Sequence, residues 1–503
     1  MKNLYALSTF LLLTVSASAQ VPPIGFATRF GDPTETNSKG VGVDALGNAY
    51  TCGLFSGTTT VGSQTITSAG SYDVFVAKHD EQGNGIWVRG FGWAADERPY
   101  KIVVDEQGNS FVLARWSVQI TVDGTTYTSN NDSRDVCVIK LDANGDVQWF
   151  SAFGGTLEEF PQDIGLDADG NILVTGYFTQ NLTVAGDSFT SSSTDAFLVK
   201  LDPDGTPLWT RVLAATGGSY GRALAVDAVG NCYVTGTATG TVDAGMNSFT
   251  IGTGYSIFLV KYDAAGVDQW AQSPVTSTNI ANAWGLAADA AGNTYMVGSF
   301  DDQLQIGGFS LVASGNLFAD AYIAKFNTAG VVQWAYKMGG ASSELGWEVI
   351  VDSNANPYVI GDFSGSTNVG GFSLTSDGGV DVFLTKLDPA GSFLWATRIG
   401  GTDNNHGAGL ATHPNGNCYA TGTFLGSMLV GTELLVSAGD GDAFLVKYGT
   451  DLVTGVPQLE RSASKVETGR YNVLGQQVNA LYNGLRIVRY SDGSSARMMT
   501  LEQ

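Results

Sequence analysis

Val351–Gly401 reads V-D-S-N-A-N-P-Y-V-I-G-D-F, then S-G-S-T-N-V-G-G-F-S-L-T-S-D-G-G-V, then D-V-F-L-T-K-L-D-P-A-G-S-F-L-W-A-T-R-I-G-G. Apolar runs of strand length alternate with turn residues, the pattern of a meander of short antiparallel strands. The run Gly346–Val351 just upstream supplies a fourth strand. The anchor of the unit is V-D-x-x-G-N, in which Asp opens a turn by bonding its own backbone and Gly takes the left-handed conformation.

The anchor recurs at Asp44, Asp105, Asp167, Asp227, Asp289, Asp352 and, degenerately, His413, with spacings of 61, 62, 60, 62, 63 and 61 residues. A period this regular marks a repeat architecture. A second hairpin signature, K-x-D-x-x-G-x-x-x-W, places Trp at 87, 149, 209, 270, 334 and 395, six times for seven anchors. The seventh copy stops at Tyr448, and Phe26–Gly31 resembles the missing strand, Trp395–Gly400. Only a closed ring brings those ends together, and radial packing covers sheets that are apolar on both faces. The expectation is an all-β chain: a seven-bladed β-propeller over residues 24–449 with four-stranded blades, closed by the N-terminal strand, then a small β-sandwich-like or hairpin C-terminal domain.

Within each unit, strand a precedes the anchor, strand b follows it, strand c carries D-x-F-L-V-K and strand d carries the Trp. The a–b and c–d turns are tight and share one face, whereas the longer b–c and d–a connections form a loop-rich face suited to binding. Five residues before each anchor stand Lys39, Tyr100, Gln162, Arg222, Trp284, Trp347 and Ala408. The candidate ligand-binding residues on that rim are Arg98, Tyr100, Glu158, Tyr220, Arg222, Trp284, Glu344, Trp347 and His406. Aromatic faces with charged hydrogen-bonding groups suit a glycan or protein ligand. No catalytic residue is assigned, and among His79, His406 and His413 only His406, on a d–a loop, is placed to act as a base.

Residues 1–19 carry Lys2, an apolar run and Ala17-Ser18-Ala19, as a secretory signal peptide does; that run is too short to span a bilayer, and no other stretch approaches 18 uninterrupted apolar residues. The net charge of −23 argues against nucleic acid. The four cysteines, at 52, 137, 232 and 418, are expected to be buried free thiols. Asp142–Asp146 and Asp167–Asn171 look like the start of a calcium loop but lack its closing Glu, so no metal and no cofactor is expected.

The D-x-x-G-x-x-x-W hairpin resembles the tryptophan-docking motif of quinoprotein propellers and, more loosely, the Asp-box of sialidases, where it is structural. The whole unit, V-D-x-x-G-N-x-Y-V-T-G with D-A-F-L-V-K-L-D-x-x-G-x-x-x-W, resembles the bacterial β-propeller repeat family known as SBBP repeats, which implies an exported propeller. Ala355, where the turn Gly belongs, and His413 depart from that pattern.

Residues 457–503 hold six basic and four acidic groups, unlike the acidic body. After a polar linker, 450–469, the strands Tyr471–Val478 and Gly484–Gly493 make residues 470–503 similar to a shortened type A C-terminal sorting domain of the Bacteroidota type IX secretion system. That resemblance implies the secretion machinery as a partner and a secreted or outer-membrane surface location. The expected function is a binding or interaction scaffold, exported by Sec and then type IX secretion. The alternative is a secreted glycan hydrolase or lyase with its site on the loop-rich face.

Overall fold

Each anchor aspartate builds its own turn. In the computed structural model, which describes residues 20–251, 256–277, 279–315, 318–449, 467–472, 476, 484–490 and 495–500, the Gly47 N–H donates to the Asp44 carbonyl at 3.0 Å. Asp44 Oδ1 accepts from the N–H groups of Leu46 and Asn48, and Oδ2 accepts from Asn48 Nδ2 and the Tyr50 hydroxyl. Asn and Tyr therefore recur at fixed distances from the aspartate because both are its donors, as they are again at Asp227 and Asp289. Ala355 fills the left-handed slot at φ +61°, a strain of order 1 kcal/mol that glycine avoids. At the seventh anchor the His413 imidazole replaces the carboxylate, its Nδ1 accepting from the Asn415 N–H at 3.2 Å.

The second signature joins successive repeats. Lys78 Nζ and Trp87 Nε1 both donate to the Ala143 carbonyl in the next c–d turn, at 3.0 and 3.2 Å. Lys140 and Trp149 share the Pro203 carbonyl, and Lys325 and Trp334 share that of Pro389. The turn glycine lies against the indole: a Cβ at Gly145, already at φ +81°, would come within 3.0 Å of Trp87. The repeat thus conserves its own register through Lys, Trp and Gly together.

The fold is an all-β propeller. Each repeat contributes strands in the order a, b, c, d, as in Thr36–Val43, Ala49–Phe55, Asp73–His79 and Gly85–Phe91. Ile24–Phe30 pairs antiparallel with Asp442–Tyr448, so the N-terminal strand completes the last repeat. Across that seam Lys447 Nζ donates to the Glu81 carbonyl at 3.1 Å, and Phe26 lies on Gly83 as the tryptophans lie on theirs. Trp395 packs on Tyr448, ring centroids 6.4 Å apart.

The expected seven separate four-stranded blades are not what the backbone hydrogen bonding gives, and that count is corrected. Among the described residues the sheets of four or more strands number six: three of four strands, two of six and one of ten. The cause is the b–c excursion, expected as loop. It folds into a Thr-rich hairpin, as in Thr241–Asp243 with Ser248–Thr250, and bonds to the outer strand of the preceding repeat. Ala215 meets Val242, Val275 meets Ile306, Gly339 meets Asn368 and Gly400 meets Leu429, and these bonds merge sheets that the sequence reading kept apart.

The chain divides into two compact units, Met1–Thr450 and Asp451–Gln503. The second unit has a three-stranded antiparallel sheet of Glu467–Asn472, Gly484–Tyr490 and Ser495–Thr500, one strand more than expected. The expected signal peptide lies outside the described residues, as does residues 450–466 of the expected linker. All four cysteines are buried and free.

Carboxyl pairs recur under the d–a turns. The residue eight before the anchor is buried in every repeat, and in three it is a glutamate, Glu97, Glu159 or Glu344. Each shares its site with the aspartate that opens the preceding strand c: Asp73, Asp135 and Asp320. Glu97 Oε2 accepts from the Trp93 N–H at 3.0 Å and Glu344 Oε2 from the Gly340 N–H at 2.9 Å. Burial first, and the neighbouring acid second, push Glu97 and Glu344 up to about 8 and Glu159 up to about 9. The other four repeats put Thr36, Ser219, Ala281 and Asn405 there, avoiding a second acid.

Unfolding returns these glutamates to about 4.3, so it releases protons between that pH and the folded values. Their stabilising contribution is complete below the ordinary glutamate range and is lost as pH rises through about 8 to 9. Thermal melts should therefore fall in temperature from about pH 6 to about pH 9.5. Glu344→Gln, an isostere of the protonated form, should fall less steeply, and parallel slopes would show that the pair carries no such proton.

Candidate functional site

The inner strands line the ring axis, and each carries one irregularity. Pairing of strand a with strand b skips a residue at Lys39, Tyr100, Gln162, Arg222, Trp284, Trp347 and Ala408. A bulge of this kind turns two successive side chains toward the same side. The rim positions found by counting back from the anchors are thus the bulged residues themselves. Tyr100 with Lys101, and Trp347 with Glu348, are adjacent in sequence yet line one cavity.

That cavity, about 350 Å³, is walled by Lys39, Tyr100, Gln162, Trp284, Trp347 and His406. It falls within the range of small-ligand sites. A second cavity of about 370 Å³ lies further along the axis, and the two share Lys101 and Glu348.

The shared wall is an axial charge cluster. The residues after the bulge are Gly40, Lys101, Asp163, Ala223, Gly285, Glu348 and Gly409. A Cβ at Gly409 would stand 2.8 Å from the Gly40 Cα, and one at Gly285 would stand 3.0 Å from the Glu348 Cα. Those strands meet too closely for a side chain, and the three long polar ones fill the axis. Lys101 Nζ bonds Glu348 Oε1 and stands 3.7 Å from Asp163 Oδ1. The remaining carboxylate oxygens accept from backbone: Asp163 Oδ2 from the Leu224 N–H at 2.9 Å and Glu348 Oε2 from the Leu410 N–H at 2.8 Å. Burial works to lower the Lys101 pKa, but the two carboxylates outweigh it and hold the ammonium above its ordinary range. Burial leaves both acids raised despite that cation.

An arc of rings and guanidinium groups runs around the mouth. Arg115 lies over Phe160 at 4.7 Å, Phe160 stacks on Tyr177 at 4.8 Å, and Tyr177 meets Tyr220 edge-on at 5.0 Å. Arg222 lies 5.3 Å from the rings of both Tyr177 and Trp284, and Trp284 packs against Trp347 at 5.8 Å. Opposite, His406 Nδ1 pairs with Asp362 Oδ2 at 2.7 Å, and Asp362 Oδ1 accepts from the Gly407 N–H. That hydrogen bond raises His406 above the ordinary histidine range, against the opposing effect of burial.

Of the nine expected residues, Tyr100, Trp284, Trp347 and His406 line the cavity, and Arg222 and Tyr220 flank it through the arc. Arg98 is exposed and 3.8 Å from Asp96, and Glu158 is 2.9 Å from Arg134, so both engage neighbours on the rim. Glu344 is buried beneath its turn and does not face the mouth. Phe160, Tyr177, Arg115, Asp362 and the axial cluster escaped the sequence reading. The signal for the cluster was available: three charged residues in a slot that is otherwise Gly or Ala.

The model of a β-propeller domain of unknown function (DUF5122) matches residues 168–207. An uncharacterized WD repeat-containing protein, L264 of Acanthamoeba polyphaga mimivirus, is 22% identical over 72% of this chain and 33% of its own length. The regulatory protein FlaEY of Caulobacter vibrioides is 24% identical over 88% of this chain and 46% of its own length. The chain thus spans less than half of either relative. Among solved structures, YCF48 bound to D1 peptide is similar at 10% identity and TM-score 0.41, covering 87% of this chain and all of that one. Sqt1 from Chaetomium thermophilum is similar at 10% identity and TM-score 0.42, covering 86% of this chain and all of that one. Among the described residues no helix is long and apolar enough to cross a membrane.

Proposed function

We propose that the chain is a binding scaffold whose ligand docks at the aromatic mouth of the ring axis. The observation that carries this reading is the division of labour at the mouth. Rings and donors face the cavity, while the acids beside it are already engaged: Asp362 by His406, and Glu348 and Asp163 by Lys101 and backbone amides. Groups held in that way position a ligand and are poorly placed to move its protons.

A second reading, a secreted hydrolase or lyase, draws on one feature, the His406–Asp362 pair on the cavity wall. A glycan array probed with the mature chain, run beside assays for released reducing ends and unsaturated products, separates the two. Binding without release, abolished in Trp284→Ala/Trp347→Ala, is expected. Release lost in His406→Ala would make the protein an enzyme, and signals indifferent to the tryptophans would move the site elsewhere.

The repeats are taken as SBBP-type, and delivery as Sec export followed by type IX secretion through residues 470–503, giving a secreted or surface-displayed protein. The supporting features are the apolar N-terminal segment and the Y-N-x-L-G-Q and G-L-R-I-V-R-Y-S-D-G strands. In its native host, a chain ending at Thr450 should stay in the periplasm. Undiminished surface delivery of that chain would remove the sorting role from the tail.

A further inference from the structure

We infer that the mouth takes an anionic saccharide, its ring on the faces of Trp284 and Trp347 and its acid group toward Arg222 and Lys39. This rests on the mouth being the binding site.

Charge accounting carries the argument. The chain has 25 basic residues against 48 acidic ones, so carboxylates are the plentiful partner. Several cations find them, as Arg29 meets Asp442, Lys200 meets Asp167 and Arg398 meets Asp381, and others without a carboxylate bond carbonyls, as Lys140 does that of Pro203 and Arg211 that of Gly266. Three cations around the mouth have no carboxylate within ion-pair distance among the described residues. Lys39 stands exposed on the cavity wall and makes no ion pair or hydrogen bond among the described residues. Arg222 bonds only the neutral Gln162 oxygen, at 3.3 Å, and leaves Nε without a partner. Arg115 is 8% exposed, lies on Phe160, and leaves Nη1 without a partner. A buried, unpaired guanidinium is costly in a folded protein, and buried Arg115, half-buried Arg222 and exposed Lys39 together give one opening of an acidic molecule a local positive field. That field favours a ligand carrying carboxylate or sulfate.

The rings decide what bears the anion. Trp284 and Trp347 are half-buried and tilted 54° to each other, presenting two adjoining faces in one cavity. Indole faces accept the C–H side of a pyranose, and they offer nothing to a bare polyanion. A neutral sugar would use the rings and leave the three cations idle.

Titration calorimetry on the mature chain tests this with four probes of equal length. They are an oligogalacturonate, its carboxyl-reduced neutral counterpart, a sulfated version of that counterpart, and oligoglutamate. The acidic saccharides should bind about tenfold or more tightly than the neutral one, with the gap closing as salt rises. The better of carboxylate and sulfate names the acid. Arg222→Gln/Lys39→Gln should erase the preference, acidic and neutral saccharides then binding alike, and Trp347→Ala should weaken every saccharide. Equal binding of acidic and neutral sugars, both sensitive to Trp347→Ala, overturns the inference and leaves the scaffold reading intact. Oligoglutamate binding as tightly as the acidic sugars overturns the saccharide. No binding of any probe overturns the inference, with the glycan array then judging the scaffold reading separately.

Discussion

The closeness of the inner strands at the ring axis governs the centre of this molecule. Where Gly409 faces Gly40, and Gly285 faces Glu348, a single added carbon would meet backbone. Strands packed that tightly leave the axis too narrow for a full circle of side chains, and this chain fills it with three that must satisfy each other. Lys101, Glu348 and Asp163 are placed in low-dielectric surroundings where an unpaired charge is expensive, so each oxygen is matched to the ammonium or to a backbone N–H. The cluster becomes a common wall between two cavities.

The bulges turn this constraint into a site. By setting two consecutive residues of each inner strand toward the axis, they allow one position to close the channel and its neighbour to line the mouth. The closing position can stay small or internally neutralised while the lining position varies freely, through Lys, Tyr, Gln, Arg, Trp, Trp and Ala. Diversity on a rigid frame is what a binding surface requires. The frame's rigidity has its own source in the Lys and Trp donors that share one carbonyl of the next repeat.

How much of this was legible depended on how local the physics is. Asp, Asn, Gly and Tyr of the anchor act within a single turn, and Trp acts on the next turn's glycine, so the period and strand order were readable. Counting back from the anchors found Trp284 and Trp347 for the same reason. Lys101 and Glu348 were not found, because an unbulged strand would have pointed them away from the residues before them, and the bulge depends on pairing. Glu344 was expected on the rim because its loop is polar, whereas its depth is set by Asp320 and the Gly340 amide. The seven-blade count failed at bonds such as Ala215 with Val242 and Val275 with Ile306, which join repeats through hairpins whose strands of three or four residues are too short to show a period.

Equilibrium unfolding of Lys101→Met measures the axial cluster most directly. Methionine keeps the length of the stem and removes the only cation facing Glu348 and Asp163 in the cluster, leaving two acids with no counter-charge. Removing one partner of a buried charge group costs about 3 kcal/mol or more, and a loss of that size is predicted. A variant as stable as the natural chain would contradict the claim that the axis is held by this charge matching.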